Sequence, residues 1–481
     1  MASIAAQGPR QLRAEAADLY ASDCYWPQTP ENYLLPHLTA FEIAASIGQS
    51  LPAQGAPERS QLRRDVFHDT VLRHWENATR TNPQAPRRAG RSPSSKGDQE
   101  PPRLLLMATS PGALRRFAAQ RPQRVLMLID HLDVGGAQQH VAMLAGQLVR
   151  AGHEVHLLHT GKPAVALPEG VVAVQLLDER VTRREEPCLD ALVATYSARI
   201  KPTVIHAHLF ASAIAAGRVA ARQRIPLVVT HHSVGTWQRK SDRENLLASL
   251  HQAAYHLTVS PQIEQRLLEQ GLAPSRVEFM PNGIPVPVNP MRRVQGTDLR
   301  VGFLGRLDTD KDPVLAVGAL AQAHALGAYA RLEMRGAGPL EAKVREAVER
   351  FSLQPYFALD GFVADPAELY GRIDVLLLSS RDEGMPLVVL EAMGHELPIV
   401  ATRVGAVPLE VQHGVTGLLA EAGDAAELGE ALAWLDAHPA ERQRMGKQGR
   451  RRLRSLFSVE RMTLKVSQSY DRVTEDERVP V

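Results

Sequence analysis

The feature that most constrains this chain is a recurring short run of large apolar residues, each followed by a turn and a helix-like stretch. Val125-Leu126-Met127-Leu128-Ile129 contains no polar member. Such a run reads as a strand buried on both faces, the situation in parallel sheets covered by helices. Further runs follow at 154–158, Val204-Ile205, Leu227-Val228-Val229 and Leu257-Thr258-Val259. Helical segments alternate with them, the first from about Gln138 to Arg150 with a stop at Ala151-Gly152. This alternation predicts a doubly wound α/β domain ending near Pro281. A second series, at 300–304, 330–334, 357–359, 375–378 and 399–401, begins after the turn-rich Pro281-Asn282-Gly283-Ile284-Pro285, a stretch that suits a hinge. Two tandem Rossmann-like domains are therefore expected, at 121–287 and 299–471, with a hinge at 288–298 and a tail from 472 to 481. Ligands bind beyond the carboxyl ends of such strands, so facing domains share one cleft.

Composition narrows the function. A net charge of +2 over 481 residues is too small to point to nucleic acid. Two cysteines, Cys24 and Cys188, neither build a disulfide framework nor have metal-ligand spacing, which fits a reducing cytoplasm. No signal peptide is visible, and no apolar run spans a bilayer, so any membrane contact is expected to be peripheral.

Residues 1–120 read as an extension. Leu62, Val66, Phe67, Val71, Leu72 and Trp75 recur at helical spacing, and packing on the main body is the preferred use of that stripe. Residues 81–103, rich in Pro, Arg, Ser and Gln, read as a flexible linker.

Several groups could carry chemistry. Gly135-Gly136 lies between the first strand and first helix, where a backbone can approach an anion closely. It lacks the GxGxxG spacing of dinucleotide sites. His206 and His208 follow one strand, and His231 and His232 another, so both pairs are expected at the cleft. Metal ligation by these four is not expected, because no carboxylate motif completes a site. Gly305-Arg306 and Lys311 end the first strand of the second domain, where a guanidinium fork and an ammonium can neutralise a diphosphate. Gly336-Ala337-Gly338-Pro339 ends the next strand. The sharpest stretch is Glu383-Gly384-Met385-Pro386-Leu387-Val388-Val389-Leu390-Glu391. Its helix N-terminus favours phosphate, and it offers one carboxylate in the loop and a second in the helix.

Over about 350 residues, from Arg124 to near Tyr470, the chain resembles family 4 of the glycosyltransferases, retaining enzymes with the two-domain GT-B fold. The resemblance rests on the E-x7-E pattern of Glu383 and Glu391, on Gly305–Lys311 as GR-x4-K, on 336–340, on Asp360-Gly361-Phe362-Val363 and on Pro281-Asn282-Gly283-Ile284. It implies that Arg306 and Lys311 hold the donor diphosphate and that Glu391 binds ribose hydroxyls. Glu383 with the Gly384-Met385 backbone would hold the transferred sugar. Gly338, Pro386 and Leu387 would complete the donor pocket, Phe362 and Val363 would lie beside the base, and Gly135 and Gly136 would close the pocket from the first domain. His232 matches the histidine near the reacting centre, with His208 as a second candidate. Two positions depart from the pattern. Gln138 stands where Glu is common, and Gly405-Ala406 stands for a Gly-Gly pair.

The resemblance implies a nucleotide sugar as co-substrate, no cofactor, no metal, and a glycan, lipid-linked or small-molecule acceptor. Cell-surface polysaccharide or glycolipid assembly at the inner face of a membrane would follow. Arg444, Lys447, Arg450, Arg451, Arg452 and Arg454 are candidates for anionic lipid, with a solvated helix as the commoner explanation. Rival readings are an epimerase or inverting transferase using His208, His232 or Asp130 as base, an inactive binding scaffold, and a phosphorylase, which lacks an evident cofactor lysine. The nucleotide, the sugar, the acceptor and the oligomeric state are not readable from the chain.

Overall fold

The structure is a computed structural model that describes residues 121–177, 187–233, 243–291, 298–361 and 367–476. The helix expected at 62–75, the linker at 81–103, Phe362, Val363 and most of the hinge lie outside these residues.

The first domain alternates β1 (Arg124–His131), α1 (Gly136–Arg150), β2 (Glu154–Thr160), β3 (Val172–Leu177), α2 (Pro187–Ile200), β4 (Val204–His208) and α3 (Phe210–Gln223). It continues with β5 (Leu227–His231), α4 (Arg243–Gln252), β6 (Tyr255–Thr258), α5 (Pro261–Glu269) and β7 (Val277–Phe279). All pairings are parallel, in the order β3-β2-β1-β4-β5-β6-β7. The order reverses between β1 and β4, which places the switch point beside the ends of those strands. Val125, Leu126 and Met127 are fully buried, as a central strand covered on both faces requires.

The second domain contains β8 (Leu299–Leu304), α6 (Pro313–Ala325), β9 (Ala330–Arg335), α7 (Glu341–Arg350), β10 (Phe357–Asp360), α8 (Ala367–Arg372) and β11 (Val375–Leu378). Then come α9 (Leu387–Gly394), β12 (Ile399–Thr402), α10 (Val407–Glu410), β13 (Gly417–Ala420), α11 (Ala425–Ala437), α12 (Pro439–Leu456) and α13 (Val459–Asp476). Its sheet is also parallel, ordered β10-β9-β8-β11-β12-β13. The two parallel sheets are the two tandem Rossmann-like domains expected from the sequence.

α13 carries an apolar stripe of Val459, Met462, Val466, Tyr470 and Val473, and it buries that stripe with β1 and α1 of the first domain. Lys465 pairs with Glu278 at 2.6 Å, and Arg472 donates to the Tyr255 hydroxyl at 2.6 Å. The helix continues to Asp476, so the tail expected from residue 472 is in part helix. A hydrogen bond also joins the domains where Gln262 Nε2 donates to the Gly405 carbonyl, at 2.9 Å. Val259 and Ile263 of the first domain share an apolar cluster with Met385, Leu387 and Ala406 of the second.

Candidate functional site

Local chain geometry first fixes the loops. Gly336 has φ +151°, and a Cβ there would strike the Gly305 carbonyl oxygen. A Cβ on Gly338 would likewise meet the backbone of Leu307, whose amide donates to Ala337 O at 3.0 Å. The loops after β8 and β9 are thus laid backbone on backbone, which only small residues permit. Gly405 (φ +52°) is required in the same way, since its Cβ would collide with the Glu383 carbonyl. Its neighbour Ala406 is buried, and its amide donates to Gly384 O at 2.8 Å, so alanine serves where the family pattern has a second glycine.

On this frame Lys311 Nζ donates to both oxygens of Glu383, at 2.6 and 2.7 Å. Ser380 Oγ donates to Glu383 Oε1 at 2.7 Å. The two residues expected to take separate parts of a donor therefore hold each other here. Arg306 is exposed, with its guanidinium 3.0 Å from Asp308. Glu391 is half-buried on α9 and accepts from the Tyr370 hydroxyl at 2.6 Å, so it is not a solvated surface residue. Pro386 stands just ahead of α9 rather than inside its first turn, and Leu387 opens the helix, buried.

The first domain answers from across the cleft. A Cβ on Gly384 would strike the His232 carbonyl oxygen, which sets the head of α9 against the end of β5. His208 Nδ1 and His232 Nε2 are 3.1 Å apart. Burial is the main cause that holds both rings well below the ordinary histidine pKa, with neighbouring histidines adding to it. Both are therefore neutral near pH 7. The other two strand-end histidines do not face the cleft. His206 gives its nitrogens to Tyr470 OH (2.6 Å) and Thr230 Oγ1 (2.8 Å), and His231 Nε2 faces His256 Nδ1 at 3.1 Å.

Asp130 is also removed from the candidate bases. Leu209 holds φ 65° and ψ −164° between β4 and α3, a conformation that costs a non-glycine residue about 1–3 kcal/mol. The Asp130 carboxylate accepts the amides of Phe210, Ala211 and Ser212 at 3.1, 3.1 and 2.7 Å, which fastens that strained turn. Burial still pushes its pKa up. Gly135 precedes α1 in extended backbone, with Gly136 opening the helix. Gln138, at the departure from the family pattern, is buried and lies 3.4 Å from His131 Nδ1.

Two of the six basic residues on α12 also leave the lipid-facing set. Arg450 and Arg452 are buried. Arg450 donates to Gly394, Pro287 and Val288 carbonyls, and Arg452 to those of Leu409 and Glu410.

Three residues join the site that sequence reasoning passed over. His140 sits on the buried face of α1 with Leu144 and Leu148, and a polar residue on an apolar stripe was the available signal. His140 Nδ1 lies 2.9 Å from Asn282 Oδ1, and Asn282 Nδ2 donates to Met385 O at 2.8 Å. One asparagine thus ties α1 to the loop before α9. Glu410, fully buried, has neither carboxylate oxygen hydrogen-bonded. Burial, then Glu383, drives its pKa well above the carboxylate range.

The profile described as Glycosyltransferase Family 4 matches residues 134–286, and that of Glycosyl transferases group 1 matches 298–437. A D-inositol 3-phosphate glycosyltransferase of Pseudarthrobacter chlorophenolicus is 27% identical over 357 residues, 66% of this chain and 85% of that protein. Mannosylfructose-phosphate synthase of Agrobacterium fabrum is 25% identical, covering 74% of this chain and 88% of the relative. Among solved structures, sucrose-phosphate synthase from Thermosynechococcus elongatus superposes with a TM-score of 0.64 at 23% identity, over 74% of this chain and all of its own. Anabaena Alr3699/HepE in complex with UDP-glucose gives 0.62 at 17% identity, over 73% of this chain and 100% of its own.

Proposed function

The chain belongs to glycosyltransferase family 4 with the GT-B fold, and on that premise we propose that it transfers a hexosyl group from a nucleotide sugar to an acceptor hydroxyl with retention at the anomeric carbon. The observation that carries this reading is the convergence of Lys311, Glu383 and the head of α9 from one domain on His232 from the other. In the reaction the bond between the anomeric carbon and the diphosphate oxygen breaks. The acceptor oxygen bonds to the same face of that carbon, and its proton passes to the leaving diphosphate. Negative charge therefore grows on the diphosphate, and preorganised cations and amides there lower the barrier most. Lys311, Arg306 and the α9 N-terminus supply them. His232 is neutral, so it serves the sugar as a hydrogen-bonding group and adds no charge. Glu391 takes the ribose hydroxyls, with Tyr370 fixing its carboxylate. No metal enters this scheme.

Lys311 is neutralised by Glu383 before the donor arrives, so donor binding has to draw the ammonium partly away from the carboxylate. The freed carboxylate then accepts from the sugar hydroxyls. Acceptors in cell-surface polysaccharide or glycolipid assembly belong to the same proposal. A lipid-linked acceptor would be met by Arg444, Lys447, Arg451 and Arg454, the residues of α12 left exposed. No helix among the described residues is long and apolar enough to cross a membrane.

The test is a panel of UDP-, GDP- and ADP-sugars titrated calorimetrically against the full chain, followed by nucleotide release. Uridine donors lead the panel because the Anabaena neighbour holds UDP-glucose. Binding of one donor that is lost in Arg306→Ala and Glu391→Ala is expected. No binding and no release with any acceptor pool would move a donor-free scaffold ahead of the enzyme.

A further inference from the structure

His140, His208 and His232 arrive from three separate elements, α1, the end of β4 and the residue after β5. One imidazole nitrogen of each lies within 4.8 Å of those of the other two. The tautomer of His140 follows from its neighbours. Asn282 Nδ2 donates to Met385 O, so Asn282 Oδ1 is the atom turned to His140, and His140 Nδ1 must carry the proton. That leaves Nε2 of His140 as a bare lone pair, fully buried, with no hydrogen-bond partner. A ligating histidine is built this way, its second nitrogen donating to a carbonyl that fixes ring and tautomer. His208 Nδ1 and His232 Nε2 stand 3.1 Å apart. Two ligands at the corners of a tetrahedron with metal–nitrogen bonds of about 2.0–2.1 Å are about 3.3 Å apart. A metal ion can therefore replace the single proton between those rings with little movement, while that proton shifts to the far nitrogen of one of them.

We propose that His140, His208 and His232 form a binding site for one zinc-type transition-metal ion, with the fourth position open to the cleft. Imidazole is the ligand such ions prefer, and three of them with an open position is a recognised zinc arrangement. His140 and His208 are fully buried, whereas His232 is partly exposed, so the ion enters from the side where the sugar is proposed to lie. The rings are neutral, so near neutral pH no protons have to be displaced before binding. The transfer scheme needs no such ion, and an ion there takes the His232 lone pair that the sugar would use. Occupancy accordingly suppresses transfer, and a chelator restores it. This last consequence rests on the transferase reading; the binding itself does not.

The test titrates the full chain with Zn2+ by calorimetry and with Co2+ by visible absorption, in the absence of any sugar nucleotide. One ion per chain is expected, with the intense visible bands of tetrahedral cobalt. His140→Asn keeps a donor toward Asn282 Oδ1 but removes the lone-pair nitrogen, and His208→Gln removes a second ligand. Each is expected to weaken binding at least about tenfold and to abolish the cobalt bands, with circular dichroism showing both variants folded. Unchanged affinity in both folded variants, or no binding by the original chain, overturns the proposal. Failure of every donor to bind would sink the transferase reading and leave this titration unaffected.

Discussion

The two halves of the molecule share a topology and differ in what they bury. The first sheet hides imidazoles: His140, His206, His208 and His256 are all fully buried beneath its strand ends. The second hides carboxylates and cations: Glu383 is gripped by Lys311, Arg450 and Arg452 are bound to backbone carbonyls, and neither carboxylate oxygen of Glu410 is hydrogen-bonded. A buried imidazole is neutral at pH 7 and costs little, whereas a buried charge needs its opposite at hand. On the proposed reading the histidine half positions neutral groups around a substrate, and the carboxylate half keeps charge ready for a diphosphate. The halves also respond to pH in opposite directions, which makes the contrast measurable.

Acidification has the largest expected effect. Burial lowers His140 and His256 to about 4 and His206 to about 3. These pKa values lie below those of the unfolded chain, so the stability they confer is complete above about pH 6.5 and is lost as pH falls toward 4 and 3. Each ring is worth on the order of 3 kcal/mol by the end of that window, and three of them approach the whole stability of a domain. Hydrogen exchange at pH 7.5 and pH 5 should show β1, β4 and β5 losing protection well before β8, β11 and β12. Equal losses in both sheets would break the comparison.

Next in size is Lys311→Ala. Removing a cation aimed at developing charge is expected to lower the rate of nucleotide release by about 100-fold or more. It also strands Glu383, which should cost about 3 kcal/mol of stability. Lys311→Met fills the space without the charge. If its release rate matches the original, the diphosphate is held by something other than Lys311.

How much of this contrast was legible in the chain depended on burial pattern. The central strands announced themselves because both faces are covered, which leaves no polar residue in 125–129. Edge strand β3 did not, since Val172 and Ala173 are exposed and Gln175 interrupts the run. The second-domain loops were readable because backbone-on-backbone packing demands glycine at 336, 338 and 405. The histidine cluster was half-visible: His208 ends one strand and His232 follows another, but His140 is brought to them only by the way α1 lies on the sheet. Nor can spacing reveal that His206 is spent on Tyr470, a contact spanning 264 residues. Asp130 looked like a candidate base because its three amide partners lie about 80 residues away in sequence.

Asp130→Ala comes third. It strips three acceptor contacts from the α3 N-terminus and releases the Leu209 turn, at an expected cost of about 2–3 kcal/mol in urea unfolding. The turn carries His208, so the cobalt bands should weaken as well. A loss under about 0.5 kcal/mol would mean that the strained turn is held by the sheet alone.

The smallest effect, from Glu410→Gln, tests the sign of the contrast. Burial first, and Glu383 second, hold the Glu410 pKa well above the carboxylate range, while Arg452 spends its donors on backbone carbonyls rather than on this carboxylate. A group whose folded pKa is raised stabilises the fold below its unfolded pKa, and that stability is lost as pH rises through the folded value. Glutamine mimics the protonated acid in size, so the two chains should unfold at nearly the same urea concentration at about pH 4, below the pKa of the unfolded carboxyl. As pH rises above that, the variant should gain on the original chain, by at least about 1 kcal/mol at pH 7. The buried histidines are present in both chains and move both curves alike, so the gap reports Glu410. A variant weaker than the original by the same amount at every pH would mean that Glu410 is ionised and paired. The second half would then bury charge only in pairs, and the opposition in pH response between the halves would reduce to the histidines alone.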